Sequence, residues 1–355
     1  MAKDNRKIRI KDIAEMAGVS VGTVDRVIHN RGKVSAEVEK EIRRLLKETG
    51  YTPNPIAQSL GSKKDFTVAV IIPRPEQDEY WKLANAGINE AQKKWKSYDF
   101  HINLKKFDLY NADSFVEVSE RVLDSKPDAV LTAPIFYDES VIFFQKLRDA
   151  NIPYVLFNTQ MEKDDPLCFI GQNLYQSGRL AAEMMDLTLQ GPAQIAVMHI
   201  HENIDNSIHL KNKERGFRDY CKENRSDFKI HTFSFFNNKE CFDSKANKYI
   251  KNNHLNGIFV TTSSGVSVTA EALVRHDEKS IALIGYDLLK PNIDYLKNRV
   301  INFLINQDPR RQAFQGLRHL ADHLLFNISP PDCDLLPLEI ITRENYDSFL
   351  KQSSY

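Results

Sequence analysis

The sequence predicts an α/β protein in which a small helical head precedes two lobes, each built on a doubly wound parallel sheet. Within the first 50 residues, apolar residues recur at helical spacing in three short segments. From Phe66 onward, continuous apolar runs alternate with helix-like segments, which is typical of buried strands in parallel sheets. At 355 residues, the chain is long enough for two or three domains.

The charges are distributed unevenly along the chain, although the formal net charge is zero. Residues 1–65 contain 14 Lys and Arg against 9 Asp and Glu, whereas the rest of the chain contains 34 against 39. A basic head on an acidic body suggests that the head binds a polyanion.

The first two head segments have the pattern of a helix-turn-helix. Residues 10–17 carry apolar side chains at positions i, i+3, i+4 and i+7, which predicts a helix. Gly18 suits the left-handed position that ends a helix, and Ser20 suits the N-cap of the next one. Val24 and Val27 would then face the core. Helix, glycine turn and helix together form this motif.

Residues 18–22 also spell G-x-S-x-G, the pattern of a hydrolase nucleophile elbow. That motif requires a buried strand before the serine, but the preceding segment is helical. We therefore interpret Ser20 as a helix cap, and we expect no catalytic residue and no enzymatic activity. A third helix is predicted from an N-cap at Ser35 to Gly50. Three such helices can present the second one to a DNA major groove.

Three segments, in this order and spacing, resemble the lactose/galactose-repressor (LacI/GalR) family of bacterial transcription regulators. They are IKDIAEMAGVSVGTVDRVI at 10–28, RGKVS at 31–35 and GYTPNPIAQSL at 50–60. The resemblance implies a homodimer that binds double-stranded, pseudo-palindromic operator DNA. It also implies a body similar to type I periplasmic sugar-binding proteins, with a small carbohydrate-like effector between the lobes.

The resemblance also implies domain bounds. The head is expected at 1–54, a hinge helix and linker at 55–65, the effector-binding and dimerisation domain at 66–345, and a tail at 346–355. The first lobe is expected at about 66–160 and 290–325, and the second at about 161–289 and 326–345.

The residues expected to contact DNA lie in the head and the hinge helix. They are Ser20, Val21, Gly22, Thr23, Asp25, Arg26, Asn30, Arg31, Lys33, Ala57 and Leu60.

Val21 and Gly22 depart from the family's usual base-reading side chains. Val21 can contact a thymine methyl, and Arg26 can read guanine. Asp25 would accept a hydrogen bond from cytosine, hold Arg26, or simply face solvent. Leu60 would be a minor-groove wedge or, alternatively, would pack at a domain junction. At Arg9 the usual Ser or Thr cap is missing, so Asp12 is expected to take part of that work.

For Asp287, the position directly after a buried strand independently indicates a binding role, because ligands bind at strand ends in such sheets. The resemblance implies the full set of effector-binding residues. They are Tyr80, Trp81, Asn158, Lys213, Thr262, Asp287 and Gln307. Trp81 would stack on a sugar ring or, alternatively, pack into its lobe. Lys213 and Thr262 stand where relatives have arginine and asparagine, so the effector cannot be transferred from any relative.

Several classes of site are disfavoured by the sequence. There is no G-x-G-x-x-G or Walker loop, so no cofactor is expected. The four cysteines are widely spaced, which favours reduced thiols. His319 and His323 are interpreted as a surface pair, and no metal site is expected. Without a signal peptide or a long apolar run, we expect a cytoplasmic protein with no membrane partner.

Three other functions compete with this interpretation of the sequence. A free solute-binding protein is opposed by the basic head and by the missing signal peptide. An enzyme would need a nucleophile, a base and an orienting group, and no motif supplies them. The third rival is a DNA-binding regulator that senses a phosphorylated metabolite or a protein partner instead of a sugar.

Overall fold

The computed structural model describes residues 8–28, 32, 34–49, 51, 65–161, 164–200, 206–235 and 239–352. The chain divides into two compact units, Met1–Lys63 and Lys64–Tyr355.

The smaller unit contains the three predicted helices: α1 (Ile10–Met16), α2 (Val21–Ile28) and α3 (Ala36–Thr49). Their shared core is formed by Ile13, Ala14, Val24, Val27, Ile42 and Leu45.

The predicted start of α1 and the predicted turn between α1 and α2 are confirmed, whereas Gly50, the predicted end of α3, lies outside the described residues. Gly18 has a φ of +63°, the left-handed conformation that glycine adopts at no steric cost. Ser20 Oγ accepts the Thr23 backbone N–H at 3.2 Å, so this serine caps α2. Asp12 Oδ2 accepts the Arg9 backbone N–H at 2.8 Å, which is the Asp12 half of a capping box and takes part of the work of the missing cap.

The larger unit has two sheets of six strands each. The first has the order β11-β5-β4-β3-β1-β2, and all of its pairings are parallel. Its strands are β1 (Phe66–Pro73), β2 (Phe100–Phe107), β3 (Ala129–Thr132), β4 (Tyr154–Phe157), β5 (Cys168–Gly171) and β11 (Cys333–Leu335). The helices packed on it are α4 (Glu79–Trp95), α5 (Ala112–Asp124), α6 (Tyr137–Asp149) and α12 (Pro309–Phe326).

The second sheet has the order β12-β10-β9-β8-β6-β7, in which only β12 is antiparallel to its neighbour. Its strands are β6 (Ala193–Ile200), β7 (Phe228–Phe235), β8 (Gly257–Val260), β9 (Ala282–Tyr286), β10 (Phe303–Asn306) and β12 (Glu339–Ile341). Its helices are α7 (Leu174–Thr188), α8 (Ile208–Asn224), α9 (Lys239–Asn253), α10 (Ser263–Arg275), α11 (Lys290–Lys297) and α13 (Tyr346–Gln352).

The predicted fold class is confirmed, since each lobe is built on a sheet that is parallel apart from the edge strand β12, and the central strands are buried on both faces. The lobe bounds differ from the expected ones. Strands β5 and β11 pair with each other and belong to the first sheet, whereas β10 pairs with β9 and belongs to the second. The segment expected to be a tail contains α13, which packs on the core of the second lobe.

Three crossovers therefore connect the lobes, after β5, after β10 and after β11. Gln172, in the first crossover, is buried and ties all three together. Its Nε2 donates to the Asn306 carbonyl at 2.8 Å and to the Pro337 carbonyl at 2.7 Å. This side chain fixes the spacing of the crossovers at the hinge.

The interpretation of His319 as a surface residue is wrong. Its ring is buried, and Nε2 lies 2.8 Å from Asp334 Oδ2, which ties α12 to β11. The described ranges contain no group of three or more His, Cys, Asp or Glu side chains arranged to hold a metal ion. Among the described helices, none has the length and apolar character needed to cross a bilayer.

Helices α7 and α8 cross with their backbones in close contact at Gly178 and Gly216. A Cβ on Gly216 would lie 2.0 Å from the Tyr175 carbonyl oxygen, and one on Gly178 would lie 1.9 Å from the Lys213 carbonyl oxygen. Only glycine at both positions permits this crossing, which places Lys213 at its observed depth in the second lobe.

We expect Gly216→Ala to lower the free energy of unfolding by about 1–3 kcal/mol, because the added methyl forces the two helices apart. Chemical denaturation followed by circular dichroism measures this change. Lys222→Ala, on the exposed face of the same helix, is the matched control and should stay within about 0.5 kcal/mol of the wild type. Equal stability of the two variants would contradict the tight crossing.

Candidate functional site

The exposed face of α2 contains the positions expected to meet DNA. Val21 (42% exposed), Gly22 and Arg26 are open to solvent, whereas Val24 and Val27 pack into the head. Nothing lies closer than 3.7 Å to the position that a Cβ on Gly22 would take. The exposed face of α2 therefore presents the apolar side chain of Val21, the backbone of Gly22 without a side chain, and the cation of Arg26.

Asp25 is half-buried and does not simply face solvent. Burial raises the pKa of the Tyr51 hydroxyl, and the nearby Asp25 charge raises it further. This proximity places the carboxylate against the head. Asn30, Arg31, Lys33, Ala57 and Leu60 lie outside the described residues.

The second candidate site is a crevice between the two lobes of the larger unit. It encloses about 30 Å³, and its walls come from both lobes and from one crossover. The lining residues are Asp78, Tyr80, Trp81, Ile135 and Asn158 from the first lobe, His209, Lys213, Thr261, Thr262 and Ser263 from the second, and Gln307 from the crossover.

The structure brings six of the seven predicted effector residues together on these walls; Asp287 lies just behind them. The sequence analysis missed Asp78, Ile135, His209, Thr261 and Ser263. Thr261 and Ser263 directly follow β8, so the rule that ligands bind at the carboxyl ends of strands pointed to them. The position of His209, within a helix, had no comparable signal.

The first-lobe wall is an aromatic surface held by polar contacts. The Trp81 ring packs edge-on against the rings of Tyr80 and Phe157, with centroid distances of 5.0 Å and 6.0 Å. Only 4% of the Trp81 surface is exposed. Trp81 was expected either to stack on a sugar ring or to pack into its lobe. In the structure it belongs to the core of the first lobe and also lines the crevice, so its position is compatible with both. Asn158 Nδ2 donates to the Tyr80 hydroxyl oxygen at 2.5 Å.

The second-lobe wall contains the buried ammonium of Lys213. Its Nζ donates to the Thr261 carbonyl at 3.0 Å and lies 3.7 Å from the centroid of the Tyr286 ring. A cation over an aromatic face in a desolvated site is held by the quadrupole of the ring. This positive charge is therefore fixed in place.

Asp287 holds other crevice residues and does not line the cavity. Its carboxylate accepts from Ser263 Oγ, from the Gln307 backbone N–H at 2.8 Å and from Gln307 Nε2 at 2.6 Å. Burial raises the pKa of Asp287, while these hydrogen bonds and the Lys213 charge oppose the rise. Asp287 was expected to bind the sugar directly. In this structure its carboxylate instead positions the side chains of Ser263 and Gln307, which line the crevice.

Asn158 and Asp287 occupy corresponding places in the two lobes. Each directly follows a central strand, and each has a left-handed backbone, with φ of 70° and 65°. Asn and Asp are the non-glycine residues that tolerate this conformation best.

A buried polar network lies behind the second-lobe wall. His199 is fully buried, with Nδ1 2.8 Å from Thr261 Oγ1 and Nε2 2.7 Å from Glu214 Oε2. Glu214 also accepts from Arg218 Nε at 2.7 Å and from the Thr232 hydroxyl. Burial alone would raise the pKa of Glu214, but these hydrogen bonds outweigh it and lower the pKa to about 2.

The depressed pKa makes a prediction about acid stability. The ionised Glu214 stabilises the folded state above its unfolded pKa of about 4.5, and this contribution is lost as the pH falls from 4.5 towards 2. We expect Glu214→Gln to lower the free energy of unfolding by about 2 kcal/mol at pH 7 and by much less at pH 3.

Denaturant unfolding at the two pH values provides the measurement. Glu223→Gln is the control, because that carboxylate pairs with Arg179 at the surface, where solvent screens the pair. An equal loss for Glu214→Gln at pH 3 and pH 7 would contradict the role assigned to the network.

Comparisons with known proteins match a family to each of the two units. The periplasmic binding protein domain family matches residues 68–327, and the lacI family of bacterial regulatory proteins matches residues 9–54. A solved structure from Bacteroides fragilis, described as that of a LacI transcriptional regulator, is 30% identical with a TM-score of 0.75. The match covers 80% of this chain and 99% of that one.

Two curated proteins are also similar. The transcriptional regulator RegA of Clostridium acetobutylicum is 27% identical over 158 residues, 44% of this chain and 45% of that protein. The sucrose operon repressor of Staphylococcus xylosus is 29% identical over 209 residues, 58% of this chain and 60% of that protein. These alignments span about half the length of the curated relatives. The chain belongs to the lacI family of bacterial regulatory proteins, and its larger unit is a periplasmic-binding-protein domain.

Proposed function

We propose that the protein is a DNA-binding transcription regulator whose affinity for an operator is controlled by a small carbohydrate-like molecule bound between its lobes. The observation that carries this proposal is the combination, on one chain, of a helix-turn-helix with an exposed reading face and a crevice lined by polar side chains from two lobes.

The DNA side of the proposal rests on α2. In a helix-turn-helix, the second helix enters the major groove and its first residues reach base edges. Arg26 supplies the bidentate donor that reads guanine, and Val21 supplies an apolar contact for a thymine methyl. Thr23, Asn30, Arg31 and Lys33 are proposed to contact phosphates, which position the head without reading sequence.

The effector side rests on the crevice. An aromatic wall opposite a set of hydroxyl, amide and amino groups suits a sugar, which has apolar ring faces and polar edges. The enclosed space is far smaller than the roughly 300 Å³ of an ordinary ligand pocket. Entry of an effector therefore requires the lobes to separate, so binding is linked to a change in lobe position.

Coupling between the two sites requires the effector to prefer one lobe arrangement, typically by about 1–3 kcal/mol. The crossovers tied by Gln172 are the proposed hinge. Outside the hinge, Asn206 of the second lobe bridges to α6 of the first. Its Oδ1 accepts the Asp138 N–H at 3.0 Å, and its Nδ2 donates to Glu139 at 2.9 Å.

We also propose that the regulator acts as a homodimer in the cytoplasm. One three-helix head buries little DNA surface, whereas two heads on half-sites supply specificity and match a two-fold operator. A hinge helix containing Ala57 and Leu60 would then enter the minor groove between the half-sites, with Leu60 as the wedge.

Selection of bound DNA from a random pool tests the proposal. We expect a pseudo-palindromic consensus, and we expect Arg26→Met to weaken binding to it by about 10- to 100-fold with relaxed preference at one base pair. Lys40→Met, which removes one exposed charge from α3, is the charge-matched control. Failure of the pool to enrich any sequence, with or without added sugars, would contradict the proposed function.

The hinge proposal is tested on the selected operator. Leu60→Ala should weaken binding and should also reduce the bend of the DNA, because the unstacking wedge is removed. Circular-permutation gel shifts measure the bend angle. A bend equal to that of the wild type would favour the alternative in which Leu60 packs at a domain junction.

A further inference from the structure

We propose that the second-lobe wall of the crevice binds an anionic oxygen group of the effector, a carboxylate or a phosphate, at the N-terminus of α10. The inference deepens the proposed function, since it assumes that the crevice is the effector site. It narrows the effector from carbohydrates in general to acidic or phosphorylated ones.

The first observation is the direction of α10. This 13-residue helix begins at Ser263, and Ser263 and the preceding Thr262 both line the crevice. The first four backbone N–H groups of a helix have no partners within the helix, and the helix dipole adds partial positive charge at that end. Such an end is a ready site for an anion.

The second observation is an unsatisfied hydroxyl at the same point. Thr262 is 4% exposed, and its Oγ1 has no hydrogen-bond partner among the residues that the structure describes. It also forms no side-chain cap on α10, although it occupies the N-cap position. A buried hydroxyl without a partner is costly, so a ligand atom that completes this bond gains affinity.

The absence of a side chain at Gly265 leaves space for the Thr262 hydroxyl. A Cβ on Gly265 would lie 2.5 Å from Thr262 Oγ1 and 2.8 Å from Ile200 Cβ, so only glycine allows Thr262 to sit this close to the first turn of α10. The hydroxyl is therefore held beside the helix N-terminus and within the crevice lining.

The polar groups on this wall favour an acceptor-only ligand. The Lys213 ammonium and the His209 ring line the same wall as α10. The Asp287 carboxylate behind the wall already accepts three hydrogen bonds, one of them from Ser263. Across the crevice, Asp78 accepts the Tyr80 backbone N–H at 2.7 Å as the cap of α4.

The wall thus offers mainly donors: the Thr262 hydroxyl, the Lys213 ammonium and the first N–H groups of α10. A carboxylate or a phosphate accepts several such bonds at once, and charge-assisted bonds are about twice as strong as neutral ones. The aromatic wall formed by Tyr80 and Trp81 remains available to the ring of the same molecule.

Trp81 provides a reporter confined to the crevice. The chain has two tryptophans, and the other, Trp95, is buried in the first lobe against Phe100 and Phe314. In a full-length Trp95→Phe background, Trp81 is the sole tryptophan. Its emission is then titrated with inorganic phosphate, and separately with acetate, at constant ionic strength set by chloride.

We expect a saturable change in Trp81 emission with at least one of the two anions. In the same background, Thr262→Val should weaken the apparent affinity by about tenfold or more, because a hydrogen bond to a charged group is lost. Lys213→Met should weaken it similarly. The matched controls are Thr188→Val, where the hydroxyl bonds its own helix, and Lys222→Met on exposed α8 surface.

The proposal is overturned if neither anion gives a saturable response up to about 50 mM, or if Thr262→Val responds as the Thr188→Val control does. Circular dichroism of each variant separates a lost site from a lost fold. A variant that is misfolded is replaced by Thr262→Ala, which removes the same hydroxyl with a smaller side chain.

Sugar titrations then identify the source of the anionic group. Glucuronate, glucose 6-phosphate and glucose share one ring and differ in charge. A tighter response to glucuronate assigns a carboxylate, a tighter response to glucose 6-phosphate assigns a phosphate, and an equally tight response to neutral glucose overturns the inference. The DNA selection does not depend on the anion titrations. If an operator is enriched but Trp81 emission does not respond to any anion, this inference is refuted and the proposed DNA binding is not.

Discussion

The structure of the larger unit depends on a buried carboxylate that must be satisfied. Asp287 is fully buried, and burying an ionised carboxyl is tolerable only when donors surround it. Two of its three bonds come from Gln307, in a crossover between the lobes. The need to satisfy this buried carboxylate with hydrogen bonds therefore holds Gln307, and with it one crossover, against the second lobe.

From that carboxylate a continuous hydrogen-bond chain runs into the first lobe. The Gln307 carbonyl accepts from Gln312 Nε2 at 2.7 Å, and Gln312 Oε1 accepts the Asn158 backbone N–H at 2.9 Å. Asn158 in turn donates to Tyr80. Both crevice walls and the hinge thus share one network, so a ligand that moves either wall also acts on the crossover.

Local signals in the sequence predicted the head and much of the crevice. The caps at Ser20 and Asp12 and the left-handed Gly18 depend only on neighbouring residues, which is why they could be read directly. The crevice positions Asn158 and Thr262 were implied by the family resemblance, and Asp287 followed from the rule for strand ends. Partners distant in sequence could not be predicted: the assignment of β5 and β10 to their sheets depends on pairing, and the burial of His199 against Glu214 depends on how α8 packs.

The bridge from Asn206 to α6 has a kinetic consequence. It joins the two lobes outside the crossovers, so under the proposed function a molecule bound in the crevice would leave only after this bridge breaks. The lifetime of such a complex would be set by the rate of lobe opening as well as by the contacts to the ligand. Two effectors of unequal affinity would then have similar residence times, because the same opening step releases both.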